Sequence, residues 1–173
     1  MMSHALIAIG ANLPSNAGTP RETCEAAVAA MARAGLGIAS RSRWFESPPD
    51  PPSDQPWYVN GVVAIVTALS PEALLAELNA IERRFGRVRG ERNAARPLDL
   101  DIIDYEARVR SGPDAPILPH PRMHLRPFVL LPLSDVAPGW RHPITGETVA
   151  GLIAGLAPGW VCRPVPDGDK NSS

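Results

Sequence analysis

Lysine is almost missing from this chain. The only one, Lys170, sits in a polar tail, and the other sixteen basic residues are arginines. A Walker A loop and a protein-kinase site each need a lysine on the phosphates inside the fold. A Schiff-base mechanism needs one as well. All three are excluded, so if the protein handles ATP, arginine must meet the phosphates. Cysteine is scarce too: Cys24 falls in a predicted helix and Cys162 near the C-terminus, with no framework spacing. Two reduced packing thiols in a cytoplasmic protein are expected. No segment reaches the roughly 18–20 apolar residues that cross a bilayer. The opening Met1–Ile9 has no basic start, and its apolar run is too short for a signal peptide. Net charge is −1, so the chain is no generic nucleic-acid binder, and attraction for anions must be local.

What is present fits one domain over residues 1–166, with 167–173 as a polar tail. Leu6–Ile9 predicts a buried strand, followed by a turn-forming break at Gly10-Ala11-Asn12-Leu13-Pro14. Thr19-Pro20-Arg21-Glu22 is a helix start with an N-cap threonine, proline at the first position and a capping-box glutamate. That helix should stop at Gly35. Ile38–Phe45 predicts a second strand. Residues 46–56 hold five prolines in eleven positions, which excludes helix and central strand; a semi-rigid loop over a site is expected. Tyr58–Leu69 reads as a central strand. Ser70-Pro71-Glu72 restarts a helix whose core stripe is Leu74, Leu78, Ile81 and Phe85 and whose end is Gly86. Leu98–Tyr105 is a further strand, and a weak hairpin or extended edge with a Gly112-Pro113-Asp114 turn follows over Ala107–Ile117. A helix from Phe128 to Val136 should be kinked at Pro132. A short helix over Thr148–Leu156 and a last strand within Trp160–Val165 complete the pattern. The order β-α-β-β-α-β fits an α+β, ferredoxin-like core with added C-terminal helices and a short terminal strand.

The richest stretch is Arg83–Tyr105. It carries Arg83, Arg84, Arg87, Arg89, Arg92 and Arg96 within fourteen residues and ends in Leu98-Asp99-Leu100-Asp101-Ile102. Strand alternation points both carboxylates to one face, with attachment points roughly 6–7 Å apart. At an effective dielectric of about 20, two such charges repel by about 2–3 kcal/mol. A cation between them turns that cost into a binding site. Hard oxygen ligands on a rigid strand suit magnesium, which takes its remaining ligands from water and substrate phosphates; the arginines are natural partners for those phosphates. The same residues also suit the polar face of an edge strand with solvated arginines. A nucleotidyltransferase or metal nuclease uses a similar pair. An RNA-binding module is a non-enzymatic alternative, although aromatics make up only 5% of the chain.

Arg96-Pro97-Leu98-Asp99-Leu100-Asp101-Ile102, preceded by Gly86-Arg87-Val88-Arg89, resembles the signature of the 6-hydroxymethyl-7,8-dihydropterin pyrophosphokinases of folate biosynthesis. Ile9-Gly10-Ala11-Asn12-Leu13, Asp54–Asn60, Leu118–Arg122 and Arg126-Pro127-Phe128 are similar to further family segments in the same order. The resemblance implies transfer of pyrophosphate from ATP to the pterin hydroxymethyl group, releasing AMP. It implies that Asp99 and Asp101 hold two magnesium ions and that Arg87 and Arg96 act on the phosphates. Glu82, Ile102, His120 and Arg126 would complete the nucleotide site. Ser47, Pro48, Tyr58, Asn60 and Phe128 would bind the pterin, with Tyr58 and Phe128 sandwiching its ring. The partners expected are small molecules only, with no nucleic acid or membrane, and a cytoplasmic monomer. Gly90, Asn93, Pro97 and Pro127 depart from the commoner family residues and bear on loop closure and fine contacts.

Overall fold

The computed structural model describes residues 1–49, 51–86, 97–114 and 116–166. Its elements are β1 (Ser3–Ala11), α1 (Pro20–Arg33), β2 (Gly37–Arg41), β3 (Phe45–Ser47), β4 (Tyr58–Thr67), α2 (Pro71–Arg84), β5 (Asp99–Tyr105), α3 (Pro127–Val136), α4 (Val149–Ala154) and β6 (Arg163–Pro164), with one 3-10 turn at Met123–Leu125. This is a mixed fold of helices on an antiparallel sheet. The strand order is β5-β1-β4-β3-β6, and β2 also pairs with β4.

Local chemistry accounts for both long helices. Thr19 caps α1 by accepting from the Glu22 N–H, and Glu22 reciprocates on the Thr19 N–H, closing the capping box. Ser70 caps α2 by accepting from the Ala73 N–H, with Pro71 at the first position. Both helices pack on one face of the sheet. There Cys24, Ala27, Met31, Leu74, Leu78 and Ile81 meet Ile7, Ile9, Val63, Ile65, Leu100 and Ile102 in one buried cluster. The other face carries a second cluster, in which α3 and α4 supply Val129, Leu130, Leu133, Val149 and Leu152 over Leu6, Val62 and Ile103.

Several elements differ from the sequence reading. β1 does not break at Gly10: it continues to Ala11, and Gly10 pairs with both Asn60 and Asp99. The strand predicted over Ile38–Phe45 is two strands separated by Ser42-Arg43-Trp44. The Trp44 indole packs against Gly61 of β4, where an added Cβ would stand only 2.4 Å from it. Ser42 fills the gap, its N–H donating to the Val62 carbonyl and its Oγ accepting from the Val62 N–H. Pro132 lies inside a continuous α3, buried among its apolar neighbours. Of the hairpin or edge expected over Ala107–Ile117, the described residues show one bridge, between Arg110 and Leu118. At β5 the register shifts between Leu6 and Ile7, and Ile103 is the extra residue.

Candidate active site

The site is built on one rung of the sheet. Asp99 of β5 pairs with Gly10 of β1, and Gly10 pairs with Asn60 of β4. Paired residues of an antiparallel ladder share a face, so carboxylate and carboxamide stand on either side of a residue with no side chain. Asp101, paired with Ala8, stands one step along on the same face. The floor is therefore glycine and alanine, flanked by acids on one side and an amide on the other. A cavity of about 270 Å³ rises above it, walled by Ser47, Pro48 and Tyr58 and closed over by Arg122, Arg126 and Phe128 from the 3-10 turn and α3.

Asn60 is buried, and its amide Nδ2 donates to the Ser47 Oγ at 2.8 Å. That bond fixes which end of the carboxamide faces where. Its Oδ1 lies 3.1 Å from the position a Cβ would take at Gly10, so the carbonyl rests over the glycine. The proline loop is tied down beside the cavity. Buried Asn12, just past β1, donates through Nδ2 to Gln55 Oε1 at 3.0 Å and to the Pro56 carbonyl at 3.4 Å.

Acids crowded on one face raise the cost of a negative charge at Asp101. Burial, then the neighbouring Asp99 and then Glu82, push the Asp101 carboxyl up to about 7, against the opposing pull of Arg126. Glu82 is buried rather than solvent-facing. Its Oε2 accepts from the Leu100 N–H at 2.8 Å, so α2 holds the edge strand by the main chain between the two aspartates. The Arg126 guanidinium lies 5.5 Å from the centre of the Phe128 ring. Pro127 takes the first position of α3, where its lack of an N–H costs nothing.

Of the residues singled out in the sequence, Ser47, Pro48, Tyr58, Asn60, Asp99, Asp101, Arg126 and Phe128 line this one cavity. Ile102 points its side chain into the core on the opposite face, leaving only its main chain for a ligand. Glu82 braces β5 from behind. His120 lines a second cavity of about 260 Å³ rather than this one, although Asp99 and Arg126 of the first are among its electrostatic neighbours. Arg87 and Arg96 lie outside the described residues, as do Gly90 and Asn93. Sequence reasoning missed Gly10 and Arg122. A glycine flanked by apolar strand residues was a usable signal for the first, and an arginine inside the Leu118–Arg122 segment for the second.

No group of three or more His, Cys, Asp or Glu side chains among the described residues could hold a metal by itself. The protein offers two carboxylates, a donor set that fits a cation completing its shell from water and phosphate oxygens.

Comparison with known proteins agrees with this geometry. The family model described as 7,8-dihydro-6-hydroxymethylpterin-pyrophosphokinase matches residues 6–138. A 2-amino-4-hydroxy-6-hydroxymethyldihydropteridine pyrophosphokinase from Synechocystis is 41% identical over 150 residues, covering 86% of this chain and 74% of that protein. The enzyme of that name from Pseudomonas aeruginosa is 41% identical over 155 residues, 89% of this chain and 92% of the relative. Its Methylorubrum extorquens counterpart is 35% identical over 162 residues, 94% and 99% of the two chains. Among solved structures, Plasmodium falciparum HPPK-DHPS with pteroate superposes with a TM-score of 0.69 at 12% identity, a likeness of fold. It spans 89% of this chain and 42% of the Plasmodium chain. With its carboxylate pair, its amide-floored cavity and this match across most of its length, the chain belongs to the 7,8-dihydro-6-hydroxymethylpterin-pyrophosphokinase family.

Proposed function

We propose that the cavity between Asn60 and the Asp99–Asp101 pair seats the pterin and the transferred phosphates side by side. The activity is the family's, pyrophosphoryl transfer to 6-hydroxymethyl-7,8-dihydropterin in folate synthesis. One observation carries the assignment of parts: the acids, the oriented amide and the aromatic residues Tyr58 and Phe128 converge on a single floor of Ala8 and Gly10. The strand order supports a ferredoxin-like reading of the β1–β5 core, with α3 and α4 closing its second face.

In this reading Tyr58 and Phe128 provide aromatic faces for the flat ring. Asn60, locked by Ser47, reads the ring's polar edge and sets its orientation. That placement brings the hydroxymethyl oxygen toward the acids. Asp99 and Asp101 would hold two magnesium ions, which when bound supply charge neutralisation for the triphosphate. Arg126 and Arg122 meet phosphate oxygens from α3 and the turn, and His120 contacts them from the far side. Arg87 and Arg96 are assigned the remaining phosphate contacts on the sequence alone. Transfer then needs positioning and charge balance: the hydroxymethyl oxygen bonds to the β-phosphorus, the bond to the α-phosphate breaks, and AMP leaves. Burial gives Asp101 an appetite for a cation or a proton. It does not make it the base, and the hydroxyl proton passes to water.

The test is AMP release from magnesium–ATP with and without 6-hydroxymethyl-7,8-dihydropterin. Pterin-dependent AMP that vanishes on chelation supports the reading. Pyrophosphate as the product would instead point to nucleotidyl transfer. No helix among the described residues is long and apolar enough to cross a membrane. The monomer expected from the sequence is checked by size-exclusion chromatography.

A further inference from the structure

Histidine followed by proline occurs twice, at His120-Pro121 and His142-Pro143. The chain folds alike at both. Proline has no N–H, so the first main-chain donor after each histidine lies two residues on. His120 Nδ1 accepts from the Arg122 N–H at 3.1 Å. His142 Nδ1 accepts from the Ile144 N–H at 3.2 Å and the Thr145 N–H at 3.3 Å. A ring nitrogen that accepts carries no proton, so the proton of the neutral imidazole sits on Nε2. Charging the ring would set an Nδ1–H against a backbone N–H, donor facing donor.

The rest of the surroundings acts the same way. The His120 N–H donates to the Ile103 carbonyl at 3.0 Å, tying the residue to the strand that bears the acids. Around it stand Asp99 on β5, and Arg122 and Arg126 on the segment leading into α3. His124, His142 and Glu147 line the same cavity. Asp99 favours a positive ring, but burial and then the arginines outweigh it and hold the imidazole down to about 4.

We propose that His120 meets the nucleotide phosphates as a neutral Nε2–H donor, locked in that tautomer by the Arg122 main chain and adding direction without charge. The inference rests on the phosphate contact assigned to His120 above. An unconstrained histidine would gain charge below about pH 6.5 and grip phosphate more tightly in acid. A locked one leaves that work to the arginines, so the histidine itself adds no pH dependence to binding in this range. Pro121 and the Arg122 N–H are the positioning elements for the ring, which itself touches the ligand.

Two-bond ¹H–¹⁵N spectra of the labelled full chain read the tautomer directly, with the His120 signals assigned by their loss in His120→Gln. The Nε2–H pattern is expected from pH 5.5 to 8, with and without magnesium and a non-hydrolysable ATP analogue. In kinetics, His120→Ala should lower kcat/KM for ATP about 10- to 100-fold. His120→Gln, whose amide nitrogen can stand near the Nε2 position, should regain most of that loss, and the ratio of wild type to Gln should stay constant over the same pH range. An Nδ1–H or imidazolium spectrum, or a ratio that climbs as pH falls, overturns the proposal. If the wild type releases no AMP, the functional assignment has failed, and the spectra still decide the tautomer on their own.

Discussion

The two faces of the sheet are built from the same strands and are used in opposite ways. Behind it, α1 and α2 close over Ile7, Ile9, Leu100 and Ile102, and Glu82 is the charged side chain buried there among the described residues. In front, α3 and α4 cover only part of the surface, and the uncovered part holds two acids, an amide and a glycine. In β5 the division runs residue by residue, since Leu98, Leu100 and Ile102 are buried behind while Asp99 and Asp101 stand in front. The lesson is that the back holds the front in place. Asp99 and Asp101 repel each other, and what keeps them side by side is the apolar burial of their neighbours and the bond from Glu82.

Changes on the two faces should separate function from stability. The largest effect is expected in front: Asp99→Ala or Asp101→Ala should cut pterin-dependent AMP release by about 10³-fold or more and leave the circular dichroism spectrum intact. Near-normal turnover from either would count heavily against the metal role. Behind, Leu100→Ala should cost about 2–5 kcal/mol of stability, read as a fall in denaturation midpoint, with kcat close to wild type while the protein is folded. A large kcat loss without destabilisation would mean the faces are not separable. Gly61→Ala forces the Trp44 indole off β4 and should cost about 1–3 kcal/mol, with little change in KM for the pterin.

The smallest effect sharpens the comparison most. Asp101 gives up its proton near pH 4 in the unfolded chain and near 7 in the metal-free fold. Its raised value means the fold holds the proton more firmly, so the stability it contributes is full below pH 4 and is lost as pH rises through 7. Asp101→Asn should therefore be more stable than wild type at pH 8 by about 1–2 kcal/mol, below the 2–3 kcal/mol of the bare repulsion. The two should converge near pH 4, with activity lost throughout. Added magnesium should narrow the gap from the wild-type side. Thermal melts at pH 4 and 8 decide it, and a variant less stable than wild type at pH 8 would refute the account.

What could be read from the sequence was what is local. The caps at Thr19 and Ser70, with the prolines beside them, define their helices from four adjacent residues. The alternation in Leu98–Ile102 already separates acids from core. What could not be read depends on partners far along the chain. The break after Arg41 is set by Gly61, which makes room for an indole seventeen residues earlier. Glu82 looks like a surface helix residue until the Leu100 N–H is placed against it. Gly10 resembles a turn because nothing nearby says that an acid and an amide will flank it. The site's residue types were legible, and its floor was a product of pairing.

The extra residue at Ile103 works like a dislocation in a crystal. Ile102 sits opposite Ile7 and Tyr105 opposite Ala5, with one more residue on β5 than on β1 between them. Were Ile103 removed, Leu6 would still face Asp104 and Ala5 would still face Tyr105, and the front cluster would lose its isoleucine. The extra residue thus resets the alternation: Tyr105 joins Ala5 in the rear cluster, and the rungs that hold Asp99 and Asp101 are untouched. A single insertion between Leu98 and Asp101, with no such reset after it, would turn an acid into the oily side.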